Sequence, residues 1–105
     1  MIYLVLIWIH PGQTEVLRAY EQQAVAIMGA HGGTLERVFQ PHIAGEPQGA
    51  PDEIHLLRFA DGQGFASFRA DPALAAAAPL REAAVRAVQL LPLREIAVEQ
   101  YLREG

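Results

Sequence analysis

Eight consecutive apolar residues, Ile2–Ile9, open the chain, and the run is rich in β-branched and aromatic side chains. Such a pattern predicts a strand buried on both faces, ended by Pro11-Gly12. Over residues 13–31 the positions Val16, Leu17, Tyr20, Ala24, Ile27, Met28 and His31 recur three or four apart. This spacing predicts a helix with one inward stripe and an outer face carrying Glu15, Arg18, Glu21 and Gln22; Gly32-Gly33 stops it. Residues 34–40 alternate Leu35, Arg37 and Phe39 with Glu36, Val38 and Gln40, and charge on both faces predicts an edge strand. Residues 41–51 hold three Pro and two Gly without an apolar period, which predicts a long loop, either a lid or a connector. A third strand over 53–60, apolar around His55 and Arg58, is expected at the centre of the sheet.

Asp61-Gly62 turns the chain into a short helix bearing Phe65 and Phe68, and Asp71-Pro72 offers an N-cap with Pro at the first helical position. Pro79 is expected to break or restart the second helical segment. Its apolar stripe continues through Leu80, Ala84, Ala87, Val88 and Leu91 until Pro92 forbids extension. The last strand is predicted over 94–102, with Ile96, Val98 and Leu102 on one face and Arg94, Glu95 and Glu99 exposed. Strand, helix, strand, strand, helix, strand is the split βαβ order, whose right-handed crossovers place both helices on one sheet face. The expected fold is thus a single α+β domain over residues 1–105, ferredoxin-like βαββαβ, with a four-stranded antiparallel sheet.

With helices on one face only, half of the first strand has no cover. Ile2, Leu4, Leu6 and Trp8 lie on one side and Tyr3, Val5, Ile7 and Ile9 on the other. Left in water, four such side chains would each forgo on the order of 1.5–3 kcal/mol of burial, and monomeric proteins rarely keep such a patch. A homodimer with the two sheets face to face is the expected cover.

Length and composition agree with one globular core: 105 residues, 51% hydrophobic and 19% charged. The net charge is −4 and all eight basic residues are scattered Arg, so nucleic acid is not an expected partner. With no Cys there is no disulfide, thiolate nucleophile or Cys-ligated metal site. The opening run is far shorter than the roughly 20 residues of a membrane helix, and no basic segment precedes it. A cytoplasmic protein without membrane contact is expected.

Several local matches carry a family resemblance. Phe68-Arg69-Ala70-Asp71-Pro72-Ala73-Leu74, followed by Pro79-Leu80-Arg81, resembles the aromatic-rich helix, turn and Leu-Arg pair of the family known as domain of unknown function 1330. Phe59 matches the Phe that ends its strand, His31-Gly32-Gly33 resembles the Tyr-Gly-Gly closing its first helix, and Val98-Glu99-Gln100-Tyr101 resembles its terminal Val-Glu-Gly-Tyr. The resemblance implies a dimeric α/β barrel, in a superfamily that includes cofactor-free monooxygenases, muconolactone isomerases and proteins of no assigned activity. Arg58 stands where that family has an acidic residue, and Leu74 where it has a Tyr.

Chemistry-bearing residues are few. His10, His31, His42 and His55 have no metal-ligand spacing, so no metal is expected. His31, at a helix end, suits the exposed carbonyls there, and His42 belongs to the loop. His10 and His55, beside the two central strands, are the candidate bases. Arg58, in an apolar strand, needs an acceptor: it either pairs with Glu36, Glu95 or Glu99, or stabilises negative charge on a substrate. Arg81 either pairs within the structure or binds a carboxylate. Tyr3, Trp8, Phe59, Phe65 and Phe68 either line an apolar small-molecule pocket or form plain core. Three readings remain open: cofactor-free proton transfer or oxygenation on a small carbonyl or aromatic compound, non-catalytic binding of a small hydrophobic acid, or a structural or assembly role.

Overall fold

The computed structural model describes residues 1–42 and 47–104. Its elements are β1 (Ile2–Ile9), α1 (Thr14–Gly29), β2 (Gly33–Phe39), β3 (Glu53–Phe59), α2 (Gly62–Arg69), α3 (Pro72–Ala84), β4 (Val85–Leu93) and α4 (Val98–Glu104). The sheet order is β2-β3-β1-β4 with every neighbouring pair antiparallel, so β1 and β3 are central and β2 and β4 are edges. Part of the expected 41–51 loop, residues 43–46, lies outside the described residues. Among the described residues no helix is long and apolar enough to cross a membrane.

The expected ends of the chain are corrected. Residues 85–93, read as the end of a helix, form β4, and residues 94–102, read as the last strand, run irregularly into α4. Apolar residues at 84, 87, 88 and 91 fit a helical stripe, but 88, 90 and 92 equally fit a period of two. The free edge of β1 decides between them. Residues 85–93 take that edge in place of 94–102: β4 pairs with β1 from Ile2–Leu93 to Ile9–Val85 and satisfies the backbone N–H and C=O groups along that side. Pro92, opposite Tyr3, is tolerated because β4 is an edge strand. With the strand position filled, the Glu-, Gln- and Arg-containing tail becomes a short helix with Glu99 in its first turn and Arg103 in its last. None of its side chains is buried.

Two smaller corrections concern faces. A bulge between Leu35 and Arg37 reverses the alternation of β2, so Leu35 opposite Leu57 and Val38 opposite His55 share one face. Pro79 does not break α3, which runs through it to Ala84. Asp71 caps α3 as expected, accepting from the Ala73 N–H at 2.8 Å, and Asp61, read as part of a turn, also caps α2, accepting from the Gly64 N–H at 2.9 Å. His31 also holds Asp71, at 2.7 Å, which ties the end of α1 to the start of α3. That contact, with the Ala73 hydrogen bond, holds the Asp71 carboxyl below its ordinary value.

The helices cover one face of the sheet, onto which β1 and β3 project Tyr3, Ile7, Leu57 and Phe59. Tyr3, Leu57 and Phe59 pack with Ala24, Met28 and Phe68, and Ile7 with Leu17 and Ala84. The other face carries Ile2, Leu4, Leu6, Trp8, Ile54, Leu56, Leu91 and Leu93 with no helix over it. None of these eight is fully buried.

Close packing concentrates where α1 meets β2. A Cβ built on Gly33 would lie 2.3 Å from the Phe59 ring and 2.5 Å from the Met28 side chain, both core groups. Gly33→Ala is expected to cost roughly 1–3 kcal/mol, whereas Gly29→Ala, in open space within α1, should gain up to about 1 kcal/mol. Thermal melts of the two variants check this; equal melting temperatures would contradict the packing at Gly33.

Candidate functional site

A cavity of about 380 Å³ lies between the sheet and the helices. It exists because α3 rests chiefly on α1 and makes few contacts with the sheet. Between Leu74 and Arg81, the residues α3 turns toward the gap are small, Ala75 and Ala78, so space remains there that larger side chains would fill. Val5, Leu57 and Leu90 line it from the sheet, and Phe65 and Phe68 from α2. This volume falls within the range of small-molecule pockets, roughly 300–1,000 Å³.

The polar lining is supplied by Tyr20, Glu21, His55, Arg69 and Arg81. His55 is 4% exposed and Glu53, two residues earlier on the same face of β3, is 1% exposed. His55 Nε2 lies 2.9 Å from Glu53 Oε1. Arg18 donates to the other oxygen, Oε2, and so does the Gln40 amide at 3.2 Å. Burial pushes the Glu53 carboxyl up, but the hydrogen bonds from Arg18, His55 and Gln40 and the charge of Arg18 outweigh it and hold the group below its ordinary value. An ionised carboxylate only accepts, so in the neutral imidazole Nε2 carries the proton and donates it to Glu53. Nδ1 is then the free acceptor.

Facing Nδ1, at 3.9 Å, is Glu21 Oε2. Burial raises the Glu21 carboxyl above its ordinary value, aided by the negative charge of Glu53 and opposed by His55, Arg18 and Arg81. Two carboxyls beside one imidazole are thereby driven apart, one held ionised and one easier to protonate. Desolvation likewise raises the Tyr20 phenol, with Glu21 adding to the effect and Arg81 and Arg69 opposing it, so Tyr20 remains a donor at neutral pH. Among the described residues no three His, Cys, Asp or Glu side chains are placed to hold a metal ion.

The structure thus brings together His55, Arg81, Phe65 and Phe68 from the residues singled out in the sequence. Phe59 stands behind the cavity in the core, edge-on to Tyr3 at 6.0 Å. His10, just past β1, is exposed; its backbone N–H donates to the Ala84 carbonyl and its carbonyl accepts from the Gln13 N–H. Arg58 is on the helix-free face of the sheet, where its Nε donates to Glu36 at 2.7 Å. Trp8 shares that face and donates from Nε1 to the Gly49 carbonyl. These last three are separated from the cavity by the sheet or its rim, because side chains one residue apart on a strand point to opposite faces.

Four polar residues were not singled out by the sequence reading: Glu21, Glu53, Tyr20 and Arg69. The sequence reading placed Glu21 on the outer face of α1; the structure corrects this, because position 21 is four after Leu17 and three before Ala24 and so turns to the cavity, and an acid at that spacing was the available signal. Glu53 was similarly legible as the first member of the inward set Glu53, His55, Leu57, Phe59. Nothing in the sequence marks Arg69, whose approach to the cavity depends on how α2 docks.

The opposed shifts have opposite pH signatures. Glu53, lowered in the folded state, adds stability above its ordinary value that is lost as pH falls through the folded one; Glu21, raised, adds stability at acid pH that is lost as pH rises through its folded value. Glu53→Ala, which strips His55 and Arg18 of their partner, is expected to cost roughly 2–4 kcal/mol at neutral pH. Glu21→Gln should raise the melting temperature at neutral pH and leave it nearly unchanged at pH below the ordinary carboxylate range. Melts across pH check both, and a Glu21→Gln effect of the reverse sign would contradict the burial of its charge.

No family model matches the chain, and no curated protein does. Solved structures do. The RPA0582 protein of Rhodopseudomonas palustris, in its methylated form, superposes with a TM-score of 0.79 at 20% identity, over 92% of this chain and 81% of that one. An uncharacterised NIPSNAP domain protein from Burkholderia xenovorans gives 0.69 at 17% identity, over 92% and 95%. A putative antibiotic biosynthesis monooxygenase from Bacteriodes thetaiotaomicron gives 0.70 at 18% identity, over 92% and 90%. At these identities the likeness is one of fold. The chain has the ferredoxin-like βαββαβ fold, a four-stranded antiparallel sheet with its helices on one face.

Proposed function

We propose that the chain is a small enzyme that moves a proton on a weakly acidic carbonyl or aromatic compound held in the cavity, with His55 as the base. The observation that carries this reading is the buried, cavity-lining imidazole whose Nε2 is held by a braced, ionised Glu53 while Nδ1 faces Glu21, itself a cavity residue. Nδ1 takes the proton from a C–H or phenolic O–H, and the electron pair left behind moves onto the carbonyl or ring of the substrate. Glu53 stabilises the imidazolium so formed and fixes the ring orientation. Returning the proton to a different atom gives an isomer. The electron-rich anion is also the species that reacts with dioxygen, a fate in keeping with a structural neighbour described as a putative monooxygenase.

The test is exchange of substrate C–H for deuterium, followed by NMR across a panel of small aryl ketones and 1,3-dicarbonyl compounds. Wild type should exchange at least one of them, and His55→Gln should slow that exchange by about 10²–10⁴-fold. Undiminished exchange in His55→Gln would remove His55 as the base. A non-catalytic binder of a small hydrophobic acid would instead bind its ligand with no exchange.

We further propose that two copies pair through the helix-free face of the sheet. The eight apolar side chains on that face support this. The cavity is on the opposite face, so pairing would leave it accessible. Light scattering at micromolar concentration should give twice the chain mass of 11.5 kDa, and Leu6→Glu with Leu56→Glu should return it to one. A wild-type mass of a single chain would sink the pairing and leave the cavity reading intact.

A further inference from the structure

Arg69 and Arg81 line the same cavity from α2 and α3. Among the described residues neither forms an ion pair: the pairs present join Arg18 to Glu53, His31 to Asp71, His55 to Glu21 and Glu53, and Arg58 to Glu36. Arg81 is half-buried and Arg69 exposed. The Arg69 guanidinium lies 5.7 Å from the centre of the Phe65 ring, another cavity residue. Stacking of this kind holds a guanidinium in place without using its hydrogen-bond donors. Both arginines are near enough to Tyr20 to favour its ionised form. The helix side of the cavity therefore presents two guanidinium groups and a phenolic O–H, all donors. The acid facing the same space is Glu21, beside His55.

We propose that Arg69, Arg81 and Tyr20 form an anion subsite that selects, as substrate class, small aryl or alkyl carboxylates. The carboxylate binds at the helix layer and the apolar body lies along Phe65, Phe68 and Leu57. The reacting position then points at His55 on the sheet. A planar carboxylate suits guanidinium donors, which can engage both of its oxygens. Seated there, it does not compete with Glu21 for the imidazole. The inference rests on the proton-transfer reading only for what happens at the far end of the ligand; carboxylate selection itself needs no chemistry at His55.

Calorimetric binding of phenylacetate and of phenylacetamide to the intact protein tests it. The two probes share shape and differ in charge. Wild type should bind phenylacetate at least about tenfold more tightly, with the difference shrinking as salt rises. Arg81→Gln and Arg69→Gln should each weaken phenylacetate binding far more than phenylacetamide binding, abolishing most of that preference. Arg69 is exposed, so its variant keeps the test open if Arg81→Gln is poorly folded by circular dichroism. Equal binding of the two probes, no phenylacetate binding at millimolar concentration, or a preference untouched by either substitution would each overturn the subsite. A preference retained alongside exchange that survives His55→Gln would instead uphold the subsite and reject the role of His55.

Discussion

Everything in this fold hangs on β1, a strand that is apolar on both faces and hydrogen-bonded on both edges. Its edges bind β3 on one side and β4 on the other, so the centre of the sheet exists only once the C-terminal half of the chain has returned to it. Its inner face lays Tyr3, Val5 and Ile7 under the helices, and Val5 and Ile7 become part of the cavity lining. Its outer face presents Ile2, Leu4, Leu6 and Trp8 to a side that no helix reaches. One strand thus determines the sheet order, supplies part of the site and creates an apolar surface on the opposite side.

The cavity follows from a second constraint, the choice of neighbour made by α3. Alanine at 75–78 gives this helix little to insert into the sheet, and it packs on α1 instead. The contact between His31 and Asp71 fastens the two helices at one end, and Ala84 is buried with Leu17 at the other. Between these fixed points the helix spans a gap. Behind that gap the two buried polar groups of β3 are compensated: Glu53 by three donors, His55 by Glu53. No buried side-chain polar atom among the described residues lacks a partner, the condition under which an internal polar network is tolerated.

The central strands, α1, the short aromatic helix and the Asp71-Pro72 start of α3 could all be read from residue order, because each has its own period or cap. The last quarter could not. From Val85 to Leu93 the residues are apolar at spacings that satisfy both a helix and a strand, and the tail beyond it has polar and apolar residues in nearly equal mixture. Local preference is indifferent there, so long-range pairing with Ile2–Ile9 decides. The same long-range effect turns Glu21 inward. The sequence reading left it on the outer face of α1, because whether a position beside the stripe meets solvent, apolar core or a polar cavity depends on what lies across from it.

By itself, residue order determined that this protein has a doubly apolar strand, two crossovers returning to one sheet and a His on a central strand. These follow from periodicity and from the fixed alternation of side chains along a strand, which act over a few residues. Only the tertiary structure decided that Glu53 braces His55, that Glu21 and Arg81 face the same space as that imidazole, and that Arg58, Trp8 and His10 do not. Those outcomes depend on register, on a bulge and on how helices lean against one another, all of which are settled by contacts between segments far apart in the chain.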